Sequence, residues 1–88
     1  MEKRWVIIFK TLGNINRMRI VKMLIHGGSI SVTGIADKLG ISIKSTSRHL
    51  LILQNLDLLD SQGKGGFVFY RFNKNLSADF KQAVKLIL

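Results

Sequence analysis

From Ser31 to His49 the chain reads SVTGIADKLGISIKSTSRH, and no other stretch restricts the fold as tightly. Ser31 can cap a short helix whose apolar stripe is Ile35, Ala36 and Leu39. Gly40 supplies the left-handed residue that closes such a helix. Ile41 completes the elbow, and Ser42 can cap a second helix with Thr46, Leu50 and Leu53 facing inward. The pattern is a supporting helix, a tight turn and a second helix whose outer side stays free.

The flanking sequence predicts what encloses this pair. Trp5, Ile8, Phe9 and Leu12 share one face of a first helix, spanning 3–12, which Gly13 ends. Asn14 is an N-cap for a second helix running to about His26, with Met18, Val21, Leu24 and Ile25 on its buried side. Gly27-Gly28 breaks it. Asp57, near the end of the helix capped by Ser42, is a residue that tolerates a left-handed conformation.

Beyond Asp57 the period changes. Leu58 to Ser61 reads as a short strand, Gln62 to Gly66 as a long, flexible glycine turn, and FVFYRF as a second strand. Ser77 can cap a last helix over 77–88, with Phe80, Ala83, Val84 and Ile87 along one side. The expected class is α+β, mostly α: four helices, a β-hairpin and a fifth helix, in one domain over 1–88. The helix-turn-helix occupies 31–56 and the hairpin, or wing, 58–73. There are no repeats and no proline linkers.

Fourteen Lys and Arg against five Asp and Glu leave a formal charge of +9, which favours a polyanionic partner, nucleic acid before membrane. A domain of 88 residues buries roughly 60–65% of its unfolded surface, so pairing with a second copy would help it. The chain has no cysteine, which excludes disulfides, thiolate metal sites and cysteine nucleophiles. MEKRWVIIFK carries cations before an apolar stretch, but Trp5 to Phe9 is too short for an export core. No segment approaches the roughly 20 apolar residues of a membrane span, and a cytoplasmic protein is the expectation.

The free face of the Ser42 helix has a use. A helix N-terminus offers unpaired N–H groups and positive dipole character, a natural seat for a DNA phosphate. With Thr46, Leu50 and Leu53 inward, the 100° step per residue carries Lys44, Ser47 and Arg48 outward. Arg48 can pair bidentately with a guanine, and Lys44 can bond a base or a phosphate. Ser45 and Ser47 are small enough to let the helix approach closely. Lys10, Arg17, Arg19, Lys22, Lys38, Lys44 and Arg48 meet a single acid, Asp37, in this half of the chain, and with Arg17 among them they are expected to contact DNA phosphates that fix register rather than read sequence. Arg17 lies near a helix N-terminus, where the dipole disfavours it; an external anion or a salt bridge to Asp37 would relieve that.

His49 stands beside the inward stripe and reads as a partly buried structural residue rather than a base reader. His26, near a helix end, suits the C-terminal dipole when protonated. The two have no metal-ligand spacing and no nucleophile beside them, so no enzyme is indicated.

Three phrases carry a family resemblance. LGNINRMRIVKMLI resembles the opening of the ArsR/SmtB-type repressors, SIKSTSRHLLIL is similar to their recognition helix, and GGFVFYRFN to their second wing strand. The likeness runs without a gap from about Ile30 to Asn73. It implies a winged helix-turn-helix that binds double-stranded DNA. Family wings often carry several arginines; here Asp60, Gln62, Gly63 and Gly66 leave only Lys64 at the tip and Arg71 on the second strand as wing contacts. Leu51 also departs from a usually polar position. It either lies exposed beside DNA, packs on the wing aromatics, or marks a different tilt of the helix.

Metal chemistry known in such relatives does not carry over. Where many hold a cysteine pair, this chain has Ser31-Val32-Thr33, poor ligands for soft metals. Where others place Asp and His in the last helix, Asp79 stands among Lys81, Gln82 and Lys85. No cofactor and no metal are expected.

Relatives pair through their first and last helices, and Trp5, Ile8, Phe9, Phe80, Val84 and Ile87 suit a homodimer interface, although the same residues could merely close the monomer's core. Phe67 and Phe69 alternate with Val68, Tyr70 and Phe72, so both sheet faces are aromatic: one covers the core, and the other is wet, packs on the Ser42 helix, or meets a partner. Two functions of different class stand. One is a dimeric regulator, a repressor by occupancy, reading an inverted repeat with helix 42–55 in the major groove. The other is a basic winged-helix module that binds RNA or a protein.

Overall fold

Asn14, Ser31 and Ser42 each start a helix in the computed structural model, which describes residues 3–76 and 78–87, the side chains at 78–80, 83 and 87 excepted. Helix α1 (Lys3–Leu12) precedes α2 (Ile15–Gly27), where Asn14 Oδ1 accepts from the N–H of Asn16 at 3.0 Å and of Arg17 at 3.2 Å. In α3 (Val32–Leu39) Ser31 Oγ accepts from Gly34 N–H at 3.1 Å. In α4 (Ile43–Asn55) Ser42 Oγ accepts from Ser45 N–H at 3.0 Å. Each cap satisfies a donor the helix itself cannot, which stabilises it by about 1 kcal/mol.

The helix-turn-helix pair ends twice in the same way. Gly40, at φ 70°, donates to Ala36 O and Asp37 O, and Ile41 N–H reaches back to Ala36 O. Asp57, at φ 60°, donates to Gln54 O, and Leu58 N–H reaches back to Leu53 O. Both are Schellman closures around a left-handed residue. The first sets the elbow between α3 and α4; the second turns the chain from α4 into the wing.

Two features depart from the expectation. A two-residue strand, β1 (Ile30–Ser31), joins β2 (Leu59–Lys64) and β3 (Phe67–Phe72) in an antiparallel sheet of order β1-β3-β2. Ile30 pairs with Tyr70 and Ser31 with Phe69. Two residues are too few for an alternating pattern to show. The wing is also not the loose projection that its glycines suggest. The ladder continues through Ser61–Tyr70 and Gln62–Phe69 to Lys64–Phe67, leaving Gly65-Gly66 as the whole turn, at φ 59° and 82°. Both central residues must be left-handed in the turn that best matches strand twist, and two glycines meet that demand. The hairpin is therefore tight.

The core is shared by every helix: Ile8 and Leu12 of α1, Ile20, Val21 and Leu24 of α2, Ile35 and Leu39 of α3, Leu50 and Leu53 of α4. Leu58, Leu59 and Tyr70 bring the wing base into it, and Val84 brings α5 (Ala78–Ile87). Each such aliphatic side chain contributes about 1.5–3 kcal/mol of burial. In α2 the central buried residue is Ile20, which the sequence reading passed over, whereas Met18 and Ile25 sit at the margin. Ser77, expected to cap α5, lies outside the described residues. Four helices, a wing and a fifth helix make a winged-helix fold. Among the described residues no helix is long and apolar enough to cross a membrane.

Candidate nucleic-acid interface

Helix α4 presents two unlike sides. Thr46, Leu50 and Leu53 are wholly buried, and the Thr46 hydroxyl donates to Ser42 O at 2.8 Å, which is why a polar side chain is tolerated there. Lys44 and Arg48 are exposed on the other side, Ser42 is exposed at the N-terminus, and Ser45 and Ser47 are half-buried between. Ser42 Oγ satisfies Ser45 N–H, so the first turn keeps the N–H groups of Ile43 and Lys44 free of intrahelical partners. Five residues picked from sequence thus converge on one exposed N-terminal half-helix. Hydroxyls, two cations and a positive helix end together suit phosphates and the acceptor edges of bases.

The other end of α4 is fastened on three sides. Arg4 Nη2 donates to Leu56 O at 2.8 Å. Gln54 Nε2 donates to Ser61 Oγ at 2.9 Å, and Tyr70 OH donates to Gln54 Oε1 at 3.3 Å. Asn73 Nδ2 donates to Asp57 O at 2.9 Å, while its N–H meets Leu58 O at 3.0 Å. Arg4 also approaches Asp57 Oδ2 at 3.9 Å, but both groups are exposed and the pair contributes little. Burial pushes the Tyr70 phenol above its ordinary range, so it stays a donor. Sequence reasoning missed Arg4, Gln54 and Asn73. Gln54 had a signal: it follows Leu50 by four residues and so falls on the inward stripe.

Arg17 departs from its expected place. Its Nε donates to Thr11 O at 2.8 Å, holding the C-terminus of α1 against the start of α2. The carbonyl end of α1 relieves the disfavoured charge, a partner neither of the two expected alternatives included; among the described residues no ion pair with Asp37 forms. Arg17 also lies close enough to His49 to matter. Burial first, and this guanidinium second, hold His49 below its ordinary value. The imidazole is partly buried as expected, and its Nδ1 is enclosed without a hydrogen-bond partner among the described residues.

On the wing, Lys64 stands beside the turn and Arg71 near the base, both exposed. Residues opposite one another on an antiparallel ladder share a face, which places Lys64, Phe67, Gln62, Phe69, Asp60 and Arg71 together. The opposite face carries Ser61 and Tyr70, which meet α4 through Gln54. Phe67 and Phe69 therefore point away from α4, and with Ser29, Gln62 and Lys64 they line an open groove of about 560 Å³. Leu51 and Ile52 are 53% and 40% exposed on α4.

The residues expected to pair two copies divide. Ile8 and Val84 have 0% and 1% exposure, so the single chain already covers them. The side chains of Phe80 and Ile87 lie outside the described residues. Trp5 and Phe9 are half-buried and pack ring to ring, centroids 5.7 Å apart. Among the described residues, the apolar surface that the terminal helices leave outward is instead Val6, Ile7 and Leu86. Among the described residues no three His, Asp or Glu side chains gather as a metal site would require.

Comparison with known proteins relates the chain to known regulators. A family model described as a helix-turn-helix domain matches residues 12–62. The cadmium resistance transcriptional regulatory protein CadC of Listeria innocua is 40% identical over 68 residues, 77% of this chain and 56% of its own length. The transcriptional repressor SdpR of Bacillus subtilis is 32% identical over 72 residues, covering 82% of this chain and 79% of the repressor. Among solved structures, HlyU from Vibrio cholerae superposes with a TM-score of 0.83 at 28% identity, covering 99% of this chain and 94% of that one. The chain spans just over half the length of CadC.

Proposed function

The chain belongs to the ArsR/SmtB-type winged helix-turn-helix regulators, a family of transcriptional regulators rather than enzymes, and on that premise we propose that it binds duplex DNA as a homodimer and represses by occupancy. The exposed, capped N-terminal half of α4 carries this reading. Arg48 reads a base edge in the major groove; Lys44 bonds a base or phosphate. Ser42, Ser45 and Ser47 allow the helix to seat closely, with backbone phosphate at its N-terminus. Lys64 and Arg71 add contacts from the wing to the DNA backbone.

Dimerisation runs through the terminal helices, where Val6, Ile7 and Leu86 remain outward beside Trp5 and Phe9. A two-fold pair presents its α4 helices to successive major grooves, so half-sites stand about 34–36 Å apart. The test is solution mass together with the salt dependence of binding to a selected duplex. A dimer with a log–log slope near about −5 fits six phosphate contacts. A monomer at working concentration, or a binding constant indifferent to salt, contradicts the reading.

One observation favours a second reading. Leu51 and Ile52 are exposed on the same helix, and aliphatic surface there also suits a protein or RNA partner of a basic winged-helix module. Such a module shows equal affinity for all duplex sequences.

A further inference from the structure

Away from the wing tip, the base of β3, the C-terminal end of α2 and α5 enclose a cleft of about 400 Å³. Its described lining is polarised. Leu24, Ile25 and Phe72 form an apolar floor, and Ser29 adds a hydroxyl. Arg71, Lys74, Lys81 and Lys85 complete it: four cations and, among the described lining residues, no carboxylate. Asp60 stands opposite Arg71 on the ladder but does not line the cleft. Lys81 Nζ donates to Lys74 O, tying α5 to the segment that follows β3 and fixing one wall.

Arg71 is shared with the proposed wing contact to DNA, but neither the fold nor DNA binding accounts for Lys74, Lys81 and Lys85 beside it. Four like charges around one hollow repel one another, and the cost is recovered when a counter-charge enters. Arg71 lies five residues beyond Gly66, roughly 17 Å at about 3.4 Å per residue, so the cleft is remote from the wing tip. The helix end beside it, at Gly28, carries carbonyl dipoles that attract cations, but one helix end does not call for four cations over an apolar floor. The volume lies within the range of small-molecule sites, about 300–1,000 Å³.

We propose that this cleft binds a small amphipathic anion, a carboxylate or phosphate head on a short apolar body. The head lies among Arg71, Lys74 and Lys85, where charge-assisted hydrogen bonds are strongest, and the body lies over Leu24, Ile25 and Phe72. This goes beyond the DNA reading and does not depend on it.

The test uses the whole chain without DNA, so its failure leaves the DNA reading untouched. Octanoate, octyl phosphate, octanol and inorganic phosphate are titrated in turn, following the amide resonances of Gly28, Ser29 and Phe72. Octanoate or octyl phosphate is expected to bind about tenfold or more tightly than octanol and inorganic phosphate, and whichever is tighter identifies the head. The double variant Lys74→Gln with Lys85→Gln is expected to weaken that anion about tenfold while its thermal melt stays that of the parent. Octanol binding as tightly as octanoate, shifts confined to other residues, or undiminished binding in a folded double variant overturns the proposal. If the double variant does not fold, single Lys85→Gln, at an exposed position on α5, carries the same comparison.

Discussion

The two halves of α4 are built to opposite ends. From Leu53 to Asp57 the helix is fastened: Arg4 holds Leu56 O, Gln54 bridges Ser61 and Tyr70, and Asn73 holds Asp57 O. From Ser42 to Arg48 the hydrogen bonds are local to the helix's own first turn, and both cations stand in solvent. One half fixes where the helix and wing lie relative to each other; the other is offered outward. A surface that must meet a rigid, periodic partner gains from such pre-organisation, because little order remains to be imposed on binding.

If the halves divide labour in this way, substitutions should separate affinity from stability. The largest effect is expected from Lys44→Ala with Arg48→Ala, which costs about 100-fold or more in affinity for a selected duplex, at about 1–3 kcal/mol per base contact. Its thermal melt should match the parent, since neither side chain packs in the core. Next comes Gln54→Ala. It strips the partner from the buried Tyr70 hydroxyl and from Ser61, and about 1–3 kcal/mol of stability should go, read by denaturant unfolding. Amide exchange should rise in β2 and β3 while specificity for the duplex persists.

Ser42→Ala lies at the border of the comparison. Loss of the cap should cost about 1 kcal/mol of stability and a similar small factor in affinity, because the freed Ser45 N–H changes the turn proposed to meet phosphate. An affinity loss as large as that of the double variant would move the recognition surface from the two cations to the helix end. The smallest effect is one of pH. Burial and then Arg17 depress His49, so its folded pKa lies below its unfolded one and the unfolded chain binds the extra proton first. Stability from the neutral imidazole is therefore full above about pH 6.5 and declines as pH falls toward the folded value. His49→Gln should flatten that decline, measured as melting temperature against pH.

Legibility followed locality. Asn14, Ser31, Gly40, Ser42 and Asp57 do their work within five residues, and each was readable because caps and left-handed closures have short signatures. The inward stripe Thr46, Leu50 and Leu53 was readable from period alone. What escaped was non-local or too short to show a period. β1 exists only because β3 lies beside it, and the bonds from Arg4 and Asn73 link residues that nothing in the sequence brings together. Arg17 is instructive: the discomfort of its charge was legible, but its partner, the carbonyl end of the preceding helix, was not. The Gly-rich wing misled in another way, because glycine signals positive φ as readily as looseness, and Gly65-Gly66 uses the former to make a tight turn. On the terminal helices the apolar pattern was legible, but not which part of it one chain covers alone. Ile8 went inward while Val6 and Ile7 stayed out.

The central claim is that the open half of α4 reads sequence in duplex DNA. Selection of bound duplexes from a random pool, run in parallel on the parent and on the Lys44→Ala, Arg48→Ala variant, tests it most directly. The parent should enrich an inverted repeat with half-sites about one helical turn apart, and the folded variant should lose that enrichment while retaining weak, salt-sensitive binding. No enriched motif from the parent, or the same motif at the same strength from the variant, would contradict it.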